Sequence, residues 1–351
     1  MSDTLLVTAL EDGSGKTAVT IALALHAQEH DETVGYMKPK GTRLRSNVGK
    51  TLDEDPMLAR ELLDLDDEMH EMEPVVYSPT FIQQAVRGHE DPEEVRQRVR
   101  EQFQTLATGR DRMLVEGGGS LTTGGIIDLT DPEVADLLDA EVLLLSGYDT
   151  PGDIDDVLAA ADRLGDRLSG VLFNAVDDSA FDSLDTDAVP FLEQRDIDVH
   201  GAIPDDQRLA GVTVADLADE LGADVLTDAP TDAYVERFSV GAMGADAALR
   251  HLRRTRDTAL ITGGDRSEIH TAALEAPGVK CLILTGGHRP PGAVVGTAEE
   301  KGVPILVVQT DTLTTVERAE DIVSGGRTRN EETVRIMGDL LEEHADIDAI
   351  L

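Results

Sequence analysis

Gly13-Ser14-Gly15-Lys16-Thr17 follows the apolar run Leu5-Leu6-Val7-Thr8 and precedes a helical pattern, Ala18-Val19-Ile21-Ala22-Leu25. Glycines at such a strand-to-helix turn let successive backbone N–H groups point inward, and the helix that follows adds the positive end of its dipole. The chemistry expected is a grip on a nucleoside triphosphate. Gly13, Ser14 and Gly15 would line the phosphates, Lys16 would reach the β and γ groups, and Thr17 would present its hydroxyl to Mg²⁺. The strict pattern G-x-x-x-x-G-K-[ST] wants its first glycine at position 10, which is Leu10 here. A glycine-rich turn that only links strand to helix is the alternative.

Magnesium takes an octahedral oxygen shell that phosphates, water and one or two carboxylates complete. Glu116 closes the run Met113-Leu114-Val115 and is followed by Gly117-Gly118-Gly119-Ser120, so a strand would deliver it to the edge that carries the phosphate loop. Asp55, with Asp53 beside it, is expected on the loop before a helix over Met57–Leu63. Lys38-Pro39 closes the run Val34-Gly35-Tyr36-Met37 and brings an ammonium to the same edge, for the γ-phosphate or an anionic substrate. In so acidic a chain each carboxylate has surface charge as its competing reading.

These residues need a scaffold that gathers strand ends. Short Val/Ile/Leu-rich runs recur at Leu5–Thr8, Val34–Met37, Met113–Val115, Val142–Leu145, Gly170–Phe173 and Val199–Ile203. Runs that do not alternate are strands buried on both faces of a parallel sheet. Pro92–Leu106 and Ile154–Leu164 carry helical spacing with charges outside. A three-layer α/β/α domain of P-loop type with a mainly parallel sheet follows.

Small and polar residues with a proline cluster at Leu226–Asp232, and the expected boundary lies there, giving domains over 1–228 and 234–351. The second, smaller α/β domain has expected strands at Thr258–Thr262, Lys280–Thr285 and Pro304–Val308 and a final amphipathic helix near Glu331–Glu343. It contains an internal echo, Gly263-Gly264-Asp265-Arg266 and Gly286-Gly287-His288-Arg289, each at a strand's carboxyl end. Asp265, Arg266, His288 and Arg289 are therefore candidate ligands for a small anionic metabolite. Helix-entry turns with close-packed glycines explain the echo equally well.

The chain of 351 residues carries 70 acidic and 30 basic side chains, a formal charge of −40 that would repel nucleic acid and anionic membranes. Six Phe, four Tyr and no Trp leave few platforms for base stacking. Acidic residues spread along the whole chain read as a halophilic solution to solubility, with an acidic mesophilic protein as the plainer alternative. Cys281 is the sole cysteine and sits in an apolar run, so no intramolecular disulfide is possible and a reducing, cytoplasmic setting is expected. Neither a leader pattern nor an apolar stretch of membrane-spanning length is found. His26-Ala27-Gln28-Glu29-His30 matches H-x-x-E-H, yet it falls at the far end of the phosphate-loop helix and reads as solvated surface. The basic run Arg250–Arg256 reads as partners for the chain's own carboxylates.

Ala9–Thr17, Lys38-Pro39, Asp55, Glu116–Gly119 and Gly170–Asn174 together resemble the dethiobiotin synthetase family of P-loop proteins. Its phosphate loop is one residue longer than the strict pattern, so the opening glycine corresponds to Ala9. The resemblance is closer to the amino-terminal region of long phosphotransacetylases, in Glu116–Ser120 and Gly201–Asp206, and the second half resembles the DRTGG domain that follows there, in Val240–Met243, Gly263–Arg266 and Leu284–Gly287. The resemblance implies Lys16 and Lys38 as catalytic phosphate ligands, Thr17, Asp55 and Glu116 as Mg²⁺ ligands, and Asn174 as a reader of the adenine edge. Related P-loop domains often pair, so a homodimer is compatible with it.

Two readings follow: an ATP- and Mg²⁺-binding regulatory or accessory protein of acyl-CoA and acetyl phosphate metabolism, with slow hydrolysis at most, or an ATP-dependent carbon–nitrogen ligase of dethiobiotin synthetase type. Lys40-Gly41-Thr42 departs from the Ser-Gly loop that holds the diamine in the ligases, which weakens the second. A phosphate acetyltransferase designation is a third reading, for which these residues supply no acyltransferase part.

Overall fold

The computed structural model describes residues 3–42, 44–47, 50–326 and 331–351. The chain forms two compact units, Met1–Asp206 with Thr328–Leu351, and Gln207–Arg327.

The first unit is built from β1 (Asp3–Ala9), α1 (Lys16–Glu29), β2 (Val34–Met37), β3 (Lys40–Gly41), α2 (Glu54–Leu62), β4 (Val75–Val76), α3 (Pro92–Leu106), β5 (Arg112–Glu116), α4 (Asp131–Leu138), β6 (Glu141–Ser146), α5 (Ile154–Leu164), β7 (Leu168–Val176) and β8 (Val199–Pro204). Six strands make one wholly parallel sheet in the order β8-β7-β6-β1-β5-β2. Leu5, Leu6, Val7, Met113, Leu114, Val115 and Val142 to Leu145 are buried, as unalternating runs covered on both faces must be. Strand order reverses at β1, which has β5 on one side and β6 on the other; the carboxyl ends there form the crevice in which open α/β sheets hold ligands.

The helices follow their local signals. In α3, Asp91 accepts from the Glu93 N–H, Pro92 opens the first turn, and Val95, Val99 and Leu106 are buried while charges face out. Helix α1 is buried over most of its surface. The sheet covers one side, and the C-terminal helix Glu331–His344 covers another with Val334, Ile336, Met337, Leu340 and Leu341.

The second unit holds α6 (Val214–Leu221), β9 (Asp224–Val225), β10 (Arg237–Val240), α7 (Ala245–Leu252), β11 (Thr258–Gly263), α8 (Ser267–Leu274), β12 (Val279–Thr285), α9 (Gly292–Lys301), β13 (Ile305–Val307) and α10 (Thr312–Gly326). Its sheet runs β9-β13-β12-β11-β10, parallel except where β9 pairs antiparallel with β13.

The division of the chain differs from the one expected. Residues 226–232 are an internal loop of the second unit: β9 pairs with β13 immediately before them, and the α6 side chains Val214, Leu217, Ala218 and Leu221 belong to the same core as Ala259, Ile261 and Ile283. The final helix, expected in the second domain, belongs to the first, because its apolar face is buried against α1. A polar, proline-containing stretch marks a chain reversal; which core claims the flanking helices is a matter of packing.

Candidate functional site

The loop between β1 and α1 is shaped by glycine. Gly15 precedes the helix in the left-handed region at φ 85°, and a Cβ there would lie 2.7 Å from Asn174 Nδ2. Asn174 Nδ2 donates to the Ser14 carbonyl at 2.9 Å, so β7, two strands from β1 in the sheet, braces the loop. Lys16 opens α1 and is 6% exposed; its Nζ lies 3.4 Å from the Glu11 carbonyl and 4.0 Å from Asp12 Oδ1, both long contacts. Burial lowers its ammonium from the usual lysine value, against the opposing charges of Asp12, Asp131 and Glu116.

At the next residue, Thr17 Oγ1 donates to Glu116 Oε1 at 2.8 Å. The register pairs Val7 with Glu116, which sets the last residue of β5 beside the end of β1. Tyr36, on β2, donates its phenol to Glu116 Oε2 at 2.6 Å. Lys38, just past β2, places its Nζ 3.3 Å from Glu116 Oε1, 3.0 Å from Asp53 Oδ2 and in closest contact with Asp55 Oδ2. The sheet and α2 thus bring Thr17, Lys38, Asp55 and Glu116 together, and all are buried. Asp55 sits in the first turn of α2, not on the loop before it: Asp53 is the capping residue, and its Oδ1 accepts from the Asp55 N–H at 3.0 Å.

Three carboxylates share this centre with Lys38. Burial pushes the Glu116 carboxyl up to about 7, with Asp55 and Asp53 adding to the rise and Lys38 and Tyr36 opposing it. Burial would lower Lys38, but Glu116, Asp55 and Asp53 outweigh it and hold the ammonium above the usual lysine range. A further carboxylate, Glu73, accepts from the Asp53 N–H through Oε2 at 3.0 Å, while its buried Oε1 has no hydrogen-bond partner among the described residues. Burial raises Glu73 to about 7.

A second buried pair lies alongside. Lys40 Nζ meets Asp131 Oδ1 at 2.5 Å, and Thr8 Oγ1 donates to the other oxygen of Asp131. Two glycines after Glu116 leave room for this pair: a Cβ at Gly117 would fall 2.3 Å from Asp131 Oδ2, and one at Gly118 2.4 Å from the Lys40 carbonyl. Sequence reasoning missed Tyr36, Lys40, Glu73 and Asp131. Tyr36 stands two residues before Lys38, a spacing that could have flagged it, whereas Asp131 in Thr130-Asp131-Pro132-Glu133 has the pattern of a helix start, which it also is.

Elsewhere the expected residues are differently engaged. Asn174 gives one end of its amide to Ser14 and the other to the Ala175 N–H, so the group expected at the adenine edge is turned to the loop itself. In the second unit the two echoes do abut, since a Cβ at Gly264 would meet the His288 carbonyl at 2.0 Å. Their charged residues do not converge on one point: Arg266 donates to the carbonyls of Gly241 and Met243, Arg289 lies 3.7 Å from Asp224, and Asp265 and His288 are exposed. Just past the end of α1, His30 is tied to the His26 carbonyl, while His26 and Glu29 come near Glu342 of the C-terminal helix at the surface.

A parallel sheet with a glycine loop and helix after its central strand, and a strand-end carboxylate bonded to the Thr after the loop lysine, define a P-loop NTPase-like fold. The chain belongs to the AAA domain family AAA_26, matched over residues 3–213, and residues 216–322 match the DRTGG domain. This order is that of the amino-terminal region of phosphotransacetylases. The chain is 24% identical over 320 residues to the phosphate acetyltransferase of Haemophilus influenzae, across 82% of this chain and 43% of that protein, so it spans less than half of that relative's length. It is 24% identical over 181 residues to the ATP-dependent dethiobiotin synthetase BioD of Methanocaldococcus jannaschii, across 50% of this chain and 80% of that protein. Among solved structures, the MinD cell division protein of Aquifex aeolicus aligns at a TM-score of 0.36 with 15% identity, over 59% of this chain and 84% of that one.

Proposed function

We propose that the first unit binds ATP with Mg²⁺ and that the protein is a regulatory or accessory component of acyl-CoA and acetyl phosphate metabolism. The observation that carries this is Lys16: a buried ammonium whose described contacts are 3.4 and 4.0 Å long, at the amino end of a helix, suits an anion. The hydroxyl of Thr17 and the carboxylates of Asp55 and Glu116 are hard oxygen donors on one buried centre, a set that fits Mg²⁺. When bound, the ion neutralises phosphate charge; Lys16 and Lys38 add to that neutralisation, and Asn174 meets the adenine edge by releasing Ser14. The metabolic assignment rests on the relative named phosphate acetyltransferase and on the AAA-then-DRTGG order, with the second unit taken to sense a small anionic metabolite through Asp265, Arg266, His288 or Arg289.

The ligase reading is favoured by the relative named dethiobiotin synthetase. Against it, the segment that would line a diamine pocket is closed: Lys40 is buried on Asp131, and Gly41 lies under Glu73. The test is ATP titration, in multimolar potassium chloride, of the full chain and of Lys16→Ala. Retained affinity in the variant overturns the nucleotide reading. Formation of dethiobiotin from ATP, bicarbonate and diaminopelargonic acid overturns the regulatory one.

A further inference from the structure

Lys38 does not hold the posture of a lysine waiting for a phosphate. Its Nζ contacts one oxygen from each of three carboxylates, Asp53 Oδ2 at 3.0 Å, Glu116 Oε1 at 3.3 Å and Asp55 Oδ2 closest of all, and its side chain is only 2% exposed. Three oxygens around one compact positive charge is the arrangement a divalent cation would take from the same residues. The three carboxylates come from two elements, Glu116 from the end of β5 and Asp53 and Asp55 from the cap and first turn of α2, and a positive charge among them offsets their mutual repulsion. Beside Asp53, the buried Oε1 of Glu73 has no hydrogen-bond partner among the described residues, which sets a further oxygen donor next to the three carboxylates. Tyr36 and Thr17 supply only neutral donors to Glu116.

We propose that Lys38 is a tethered counter-ion that competes with a divalent cation for the carboxylates of Asp53, Asp55 and Glu116, so that the cation binds well only when an anion draws the ammonium away. Metal entry and release of Lys38 are then one exchange. The ammonium freed from the carboxylates becomes available to the anion that brings the metal, and the protein avoids loading metal alone. This rests on the assignment of Asp55 and Glu116 as metal ligands, but not on nucleotide binding.

The experiment is a titration of the full chain with Mn²⁺, without nucleotide, followed by the electron paramagnetic resonance of free Mn²⁺. Lys38→Met keeps most of the length of the side chain and removes its charge. The expected result is at least tenfold tighter Mn²⁺ binding by Lys38→Met than by the unaltered chain, lost again in Lys38→Met/Asp55→Asn. Equal or weaker binding by Lys38→Met overturns the proposal. Should Lys38→Met unfold by itself, millimolar Mn²⁺ is expected to restore its thermal transition, and failure of that rescue overturns the proposal too. Because no nucleotide is present, a failure here is distinct from a failure of the Lys16→Ala test.

Discussion

Thr17 Oγ1 donates to Glu116 Oε1 at 2.8 Å, joining the first turn of α1 to the end of β5. The bond ties the residue after the loop lysine to a carboxylate almost one hundred positions away. The same carboxylate oxygen lies 3.3 Å from Lys38 Nζ, so Glu116 links the phosphate loop to the charged centre.

Replacing Thr17 by Val keeps the volume and removes the hydroxyl. The part of ATP affinity that depends on Mg²⁺ should fall about tenfold, the equivalent of ~1.4 kcal/mol. Binding measured in EDTA should change far less. Equal losses with and without Mg²⁺ would show that Thr17 acts on the loop and not on the metal. Denaturant unfolding should report a loss of about 1.5 kcal/mol from the missing bond to a buried carboxylate.

The Lys40–Asp131 pair is fully enclosed, and Asp131→Asn leaves an ammonium buried without a countercharge. Breaking such a pair costs about 3–5 kcal/mol, whereas replacing both members by apolar residues is often near neutral. Urea unfolding of Asp131→Asn should therefore show a large loss, and Lys40→Met/Asp131→Leu should recover much of it. A double variant no better than the single one would mean that Thr8 and the glycine loop, not charge, hold this corner.

Gly118 and Gly125 make a paired test of backbone approach. A Cβ at Gly118 would stand 2.4 Å from the Lys40 carbonyl, a contact that only backbone movement relieves, while at Gly125 the nearest atom is Thr130 Cγ2 at 3.6 Å. Gly118→Ala should lower stability by about 1–3 kcal/mol. Gly125→Ala should stay within about 0.5 kcal/mol of the parent. Thermal unfolding of both variants decides it.

Burial pushes the Cys281 thiol up to about 12 from its ordinary 9.0. In the native protein it should resist iodoacetamide at pH 8 and react once denatured. The sign of the linked effect follows: unfolded chains lose the proton first, so this thiol's contribution to stability is intact below about pH 9 and is lost as pH rises toward 12. A Cys281→Ala chain compared with the parent between pH 8 and 11 by thermal melting should isolate that slope.

The residues themselves determined a good deal. Unalternating apolar runs fixed a buried parallel sheet, and the glycine-lysine-threonine turn between a strand and a helix fixed where an anion would sit, because both signals are local in the chain. Glu116 was legible for the same reason: a carboxylate closing a strand must arrive at the sheet edge. Tertiary structure decided what local pattern does not encode. That Lys38 lies among three carboxylates, that Glu73 hangs over Gly41, and that Lys40 pairs with Asp131 depend on loops folding back over distances the spacing never reveals. The final helix joined the first unit because one amphipathic face fits any apolar surface offered to it, and only packing selects α1. Sequence names the groups that carry charge; the fold decides which of them must share a buried space, and burial is what gives the sharing its energy.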